Sequence, residues 1–316
     1  MLPTHHAVPW FPKTKHVWLE PSPEFVNGNL KIWASISGVH PARIPGYWID
    51  RRGHDTPVNH PPRPEEKVLY YLHGGGYITQ SANPAYDMTC TIATHLLDCH
   101  PSFKRSFAVE YRLTRREENP FPTALLDALT GRKLSLALTR YLVEQARVPE
   151  SPVPAPPGAL LLFSPWADMG TSHSSSTDST FFTNRSTDFL PDHDSGVLLT
   201  ARMNFCGPHK FPDAADSNPY LSPASMHPAM KSNGYDNSFK GFPRTYIVAG
   251  DAEILLGQIR SLKEKMAKDL GGDRLGYHEG KGGVHDFVLF GPWSTESELV
   301  YAHIANWLVE SDEAMI

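Results

Sequence analysis

Cysteine is scarce in this chain, and apolar runs of membrane length are missing. Three cysteines, Cys90, Cys99 and Cys206, are too few and odd in number for a disulfide framework. Nine residues apart on what reads as one helix, Cys90 and Cys99 fall on opposite faces, which argues against their pairing and for a reducing compartment. The longest apolar runs are strand length, far short of a membrane span. No Lys/Arg-rich run occurs and the net charge is −5, so nucleic acid is not expected as a partner. The N-terminus, Met1 to His6, leads into prolines and polar residues without an apolar h-region, so no signal peptide is read and a cytoplasmic protein is expected. The histidines lack ligand spacing with cysteines or carboxylates, so neither a metal nor an organic cofactor is expected.

What is present is an alternation of strands and helices. Residues 1–25, rich in Pro, Trp and His, read as irregular. A short helix follows from Asn27 to Gly38, then a strand from Ile44 to Ile49 and a proline-rich connection through Pro61, Pro62 and Pro64. Val68 to Leu72 reads as a buried strand, Tyr86 to Leu97 as a helix, and Ser106 to Tyr111 as a strand. Helical periodicity runs from Thr123 to Ala146, interrupted at Gly131. Ala159 to Phe163 is a further buried strand. Residues 168–240 are polar and irregular, without strand signal. The tail gives a strand from Thr245 to Ala249, a helix through Ile259 and Leu270, a strand from Leu275 to His278 and a last helix over 297–308. Such alternation predicts an α/β fold with a mostly parallel sheet flanked by helices.

The strand at Val68–Leu72 runs directly into His73-Gly74-Gly75-Gly76-Tyr77. Glycines after a strand let backbone N–H groups approach a developing negative charge that side chains would hold away. Five further segments fall in order behind it: Glu110 to Leu113 with Asn119 to Ala124; Phe163 to Asp168; Ser217 to Pro223; Gly250 to Leu255; and Val284 to Phe287. In this order and spacing the chain resembles the hormone-sensitive-lipase-like branch of α/β hydrolases, especially its members from filamentous fungi. The resemblance covers most of the length. It implies one α/β-hydrolase domain over 1–316, with a lid drawn from about 1–40 and 168–240. It also implies hydrolysis of a carboxylic ester through an acyl-enzyme. In that family His73 to Gly76 form the oxyanion hole, His285 is the base and Glu253 the acid, with Asp251 nearby as the alternative acid. Aromatic residues of the lid (Trp10, Phe11, Trp18, Phe181 and Phe182) point to a small or medium hydrophobic ester. Oligomeric state is left open.

The family's nucleophile is a serine in Gly-x-Ser-x-Gly on a sharp strand-to-helix turn. No such pattern occurs in this chain. Relatives pass from the Phe-Pro-x-Ala-Leu helix through a strand into Gly-Asp-Ser-Ala-Gly-Gly and a buried helix. Here Ala124 to Gly131 joins Arg132 to Leu138 directly, so one central strand and the elbow read as deleted, on the order of 25–30 residues. No other serine replaces the nucleophile. Ser135 sits within a helical pattern, Ser164 precedes Pro165, which removes the next N–H, and the serines at 172–176 follow no strand. Without the central strand, Val68–Leu72 and Ala159–Phe163 either pair directly or leave a cleft of unpaired backbone groups, and poor stability is expected either way. Three functional readings follow: an impaired or inactive esterase, a non-catalytic small-molecule-binding pseudo-hydrolase, and an incomplete splice or gene-model product of an esterase, with a tailoring role in secondary metabolism as what the fungal resemblance allows.

Overall fold

The computed structural model describes residues 14–313, except 59, 64, 65, 86, 117, 131–135 and 191–195. Two sheets carry the chain. The first has the order β1-β2-β4-β3, with β1 (Lys15–Leu19), β2 (Ile44–Asp50), β3 (Lys67–Tyr71) and β4 (Phe103–Val109). β1, β2 and β4 pair antiparallel, whereas β3 and β4 are parallel. The second is fully parallel, in the order β5 (Ala159–Phe163), β6 (Arg244–Gly250) and β7 (Leu275–Gly280). Among the described residues nothing pairs β3 with β5. The cleft alternative is the one the fold adopts.

Helices cover both faces, as parallel strands buried on two sides require. They are α1 (Gly28–Ser37), α2 (Asp87–Cys99), α3 (Thr123–Thr130), α4 (Leu136–Gln145), α5 (Thr180–Thr183), α6 (Gly196–Cys206), α7 (Asp213–Ser217), α8 (Leu256–Leu270) and α9 (Ser294–Glu313). All eight residues of α3 are buried. Its Asp127 carboxylate accepts hydrogen bonds from the Arg112 backbone N–H (2.8 Å) and guanidinium (2.7 Å), which moors α3 to the chain leaving β4. α4 buries Leu136, Leu138, Thr139, Arg140, Tyr141, Leu142 and Val143, a nearly all-round pattern that fits its central place. The interruption between α3 and α4 at Gly131, with Leu134 and Ser135, lies outside the described residues.

Two expectations need correction. Lys15–Leu19, read as irregular and assigned to a lid, is an edge strand. Its Val17-Trp18-Leu19 run hides the alternation, and a strand with one neighbour and a half-exposed face gives little sequence signal. Residues 168–240 hold no strand among those described, but they are not irregular throughout. They contain α5, α6 and α7. In α6 the polar Thr200, Arg202 and Asn204 interrupt the apolar periodicity that would have shown it. All three cysteines are free, with Cys90 and Cys99 on α2. No described helix is long and apolar enough to cross a membrane.

Candidate active site

The C-terminal ends of β6 and β7 set the acid and the base. Their loops interlock so tightly that a Cβ on Gly250 would lie 2.2 Å from the Gly283 carbonyl oxygen. The Asp251 N–H donates to Gly280 O (3.0 Å) and the Ala252 N–H to Gly283 O (2.9 Å). Glycine at 250 is therefore a packing requirement, since any side chain would force the loops apart. Within this clasp the fully buried Glu253 accepts from the Gly250 N–H through Oε1 (3.1 Å), and its Oε2 lies 3.1 Å from His285 Nδ1. Asp251, the alternative acid, is exposed and makes no hydrogen bond to His285 among the described residues.

Asp188 escaped the sequence reading because it lies in a polar stretch without a motif. One of its oxygens accepts from the His285 N–H (3.3 Å) and the other from the Ile254 N–H (2.8 Å), so it ties the base loop to the acid loop. Asp286 has left-handed backbone (φ 51°) and directs its Oδ2 to within 3.4 Å of His285 Nε2. The imidazole thus lies between two carboxylates. Burial alone would lower its pKa, but Asp286, Glu253 and Asp188 outweigh that and push it up to about 9. Burial likewise pushes the Glu253 and Asp286 carboxyls up, with His285 pulling both back. The same carboxylates therefore favour the imidazolium, the form without a lone pair to accept a proton from a nucleophile.

Opposite stands the glycine-rich turn. His73 is buried and stacks on Tyr111 at 4.2 Å, while the Tyr111 hydroxyl donates to His73 O (2.8 Å). Gly75 (φ 98°) and Gly76 (φ 58°) occupy backbone that side chains disfavour, and a Cβ on Gly75 would meet Thr79 O at 2.3 Å. The amides of Gly74, Gly75 and Gly76 make no hydrogen bond among the described residues. A Cβ on Gly74 would lie 3.8 Å from Asp286 Oδ2, so turn and base loop face each other closely.

No described serine oxygen is hydrogen-bonded to the His285 imidazole. Ser164, at the end of β5, is bonded to the residue next to His285 instead. It is buried, has left-handed backbone (φ 38°), and its Oγ accepts the Asp286 N–H at 3.0 Å. A second serine–histidine–aspartate order does exist elsewhere. His173 lies 2.6 Å from Asp168 Oδ2 through Nδ1 and 2.8 Å from Ser261 Oγ through Nε2. Ser261 sits in the middle of α8, where the neighbouring backbone N–H groups belong to the helix ladder and none is left to stabilise an oxyanion. That relay ties the 168–173 segment to α8.

Between the glycine turn, the base loop and the two sheet edges lies a cavity of about 1450 Å³. It follows β3 and β5 along their whole length and is roofed by Phe189, Leu198 and Phe205. Of the aromatic residues assigned to the lid, the described ones, Trp18, Phe181 and Phe182, do not line it. Trp18 lies against the Arg43 guanidinium, Phe181 is packed in the core beside α8, Phe182 is exposed, and Trp10 and Phe11 lie outside the described residues.

No family model and no curated protein matches the chain. Solved structures do. An esterase from the bacterial hormone-sensitive lipase family aligns with a TM-score of 0.58 at 20% identity, over 95% of this chain and 85% of its own. A hormone-sensitive lipase from a metagenome library gives 0.58 at 20%, over 84% and 80%. An esterase/lipase from an uncultured bacterium gives 0.56 at 21%, over 84% and 81%. The fold is that of the α/β hydrolases.

Proposed function

We propose that the chain is the frame of a carboxylic-ester hydrolase of the hormone-sensitive-lipase type, without its nucleophile. Glu253 is the acid, His285 the base, and the amides of the His73–Gly76 turn the oxyanion donors. The ligand is a small or medium hydrophobic ester, seated under a lid from 168–240. The Glu253–His285 contact of 3.1 Å, set opposite unbonded glycine amides across one apolar cavity, carries this reading. Acyl transfer needs all parts at once, and losing the nucleophile leaves only residual catalysis. Only residues 131–135 separate α3 from α4, where relatives place a strand and the elbow. Inserting a strand–Gly-Asp-Ser-Ala-Gly-Gly–helix segment between Gly131 and Leu134 should produce hydrolysis of short p-nitrophenyl esters. His285→Ala in that background should cost several orders of magnitude in rate. A folded, active insertion variant indifferent to His285→Ala would refute the assignment of the base.

A second reading, a non-catalytic binder of the same ligands, is favoured by one observation. His285 lies between the Glu253 and Asp286 carboxyls, which favour its protonated form, suited to donating a hydrogen bond rather than to taking a proton. Saturable binding of short hydrophobic esters without turnover, lost in Phe205→Ala, would support it.

A further inference from the structure

The cavity between the two sheets has walls that no ester satisfies. β3 has one neighbour, β4, and β5 has one neighbour, β6. In a parallel ladder roughly half of a strand's N–H and C=O groups point away from a single neighbour. Among the described residues, those outward groups on Val68–Leu72 and on Ala159–Phe163 make no backbone hydrogen bond across the cavity. The C-terminal ends of both strands lie on the Asp286 side of the cavity. β3 leads into the glycine turn and β5 into Ser164, and Asp286 touches both ends. Apolar side chains close the space above and below, with Leu125 and Leu138 on one face and Ile92 and Leu96 on the other.

From this geometry we infer that the cleft is a binding slot for one extended peptide strand from another chain, paired parallel to β3 and β5 and apolar on both faces. An acyl chain fills apolar volume but leaves two rows of peptide groups without partners, whereas a strand satisfies both rows. The occupant's N-terminal end carries an acidic residue. Lys67, Arg244 and Arg274 line that mouth beside Asp273 and a Glu66 carboxylate held by Arg105 at 2.8 Å, with Arg244 and Arg274 also donating to the neutral carbonyls of Trp307 (2.6 Å) and Phe242 (2.9 Å). Residues 1–13 of the chain itself are a poor occupant, because Pro3, Pro9 and Pro12 would deny them the ladder. This slot stands on backbone geometry and does not require ester chemistry.

The test uses the full chain and a peptide without serine, acetyl-Asp-Val-Ile-Val-Val-Gly-Lys-amide, labelled with fluorescein on its lysine. Anisotropy should rise saturably, and hydrogen exchange should slow at the amides of 68–72 and 159–163 together. Proline at the centre of the peptide should weaken binding at least about tenfold, and so should lysine in place of the aspartate. Ala128→Trp, which fills the slot from α3, should abolish binding while the circular dichroism spectrum is kept. Equal binding of the proline peptide, unchanged exchange on either strand at saturation, or displacement of the peptide by laurate at matched concentration would overturn the inference. Because the probe carries no nucleophile, binding can succeed where the hydrolase reading fails, and the reverse.

Discussion

Raising the pH should remove a defined part of this protein's stability through His285 alone. The imidazole titrates near 9 in the folded chain against 6.5 for the ordinary group. A histidine whose pKa is raised by folding stabilises the native state fully below the unfolded value, and that stabilisation is lost as pH rises through the folded value. The window is therefore about pH 6.5 to 9. A rise of about 2.5 units at ~1.4 kcal/mol per unit corresponds to on the order of 3 kcal/mol, and the side chain is only 18% exposed, so solvent screening removes little of it. For a chain of this size that is roughly 4–5 °C in melting temperature. Thermal melts of the wild type and His285→Gln at half-unit steps from pH 6 to 9.5 are the assay. A constant offset from lost packing is expected; the informative quantity is how the gap between the two proteins changes. It should shrink across the window, and the imidazole proton signals should titrate with a midpoint near 9. A gap that stays constant or widens with pH would refute the ion-pair account of this site.

Further outcomes follow from single contacts. A fluorophosphonate probe should label no serine stoichiometrically, since none is hydrogen-bonded to the His285 imidazole among the described residues; labelling of Ser164 or Ser261 with loss of the probe on His285→Ala or on changing His173 would show a competent relay. Gly75→Ala should destabilise the chain by about 1–3 kcal/mol, because φ is 98° and the new methyl would meet Thr79 O at 2.3 Å; an unchanged urea midpoint would mean that the turn relaxes freely. Asp127→Ala strands the Arg112 guanidinium, 11% exposed, and should cost about 3–5 kcal/mol in urea unfolding, with Asp127→Asn recovering part of it.

Local chemistry was legible in the sequence where one residue type alone can do the work. Gly75 and Gly76 need positive φ directly after a strand, and Gly250 admits no Cβ, so these positions announce themselves. Glu253 and His285 were placed by the family resemblance, and the fold brings their side chains to 3.1 Å of each other. Asp188 was not, because it acts through backbone amides of loops distant in sequence, and a polar segment gives no period to read. Edge strand β1 was missed because one neighbour imposes no strict alternation, and α6 because Thr200, Arg202 and Asn204 break its apolar stripe. Whether β3 and β5 would meet was beyond sequence reasoning. Pairing across a gap is decided by what packs above and below the strands.

The two sheets stay apart yet hold one arrangement because helices span the cleft on both faces. On one face α4 sends Leu138, Tyr141 and Leu142 into the cluster that contains Ile44, Phe107 and Val109 of the first sheet. The same helix sends Leu136 and Val143 into the cluster of Leu160, Leu162 and Ile247 of the second. On the other face Ile92, Leu96 and Phe103 share a cluster with Tyr246, Val248, Ile304 and Leu308, so α2 and α9 bind the first sheet to β6. Truncating a single buried Leu or Ile in such a cluster costs about 2–5 kcal/mol, and seven of the helix residues that bridge the cleft are of these two types: Leu136, Leu138 and Leu142 of α4, Ile92 and Leu96 of α2, and Ile304 and Leu308 of α9. Closing the gap would pull α4 away from one sheet or α9 away from the other and give up those contacts for one row of ladder bonds, each worth only ~0.5–1.5 kcal/mol net. The cleft persists because side-chain packing outweighs the hydrogen bonds that direct pairing would gain, which leaves the two strand edges turned toward the cavity.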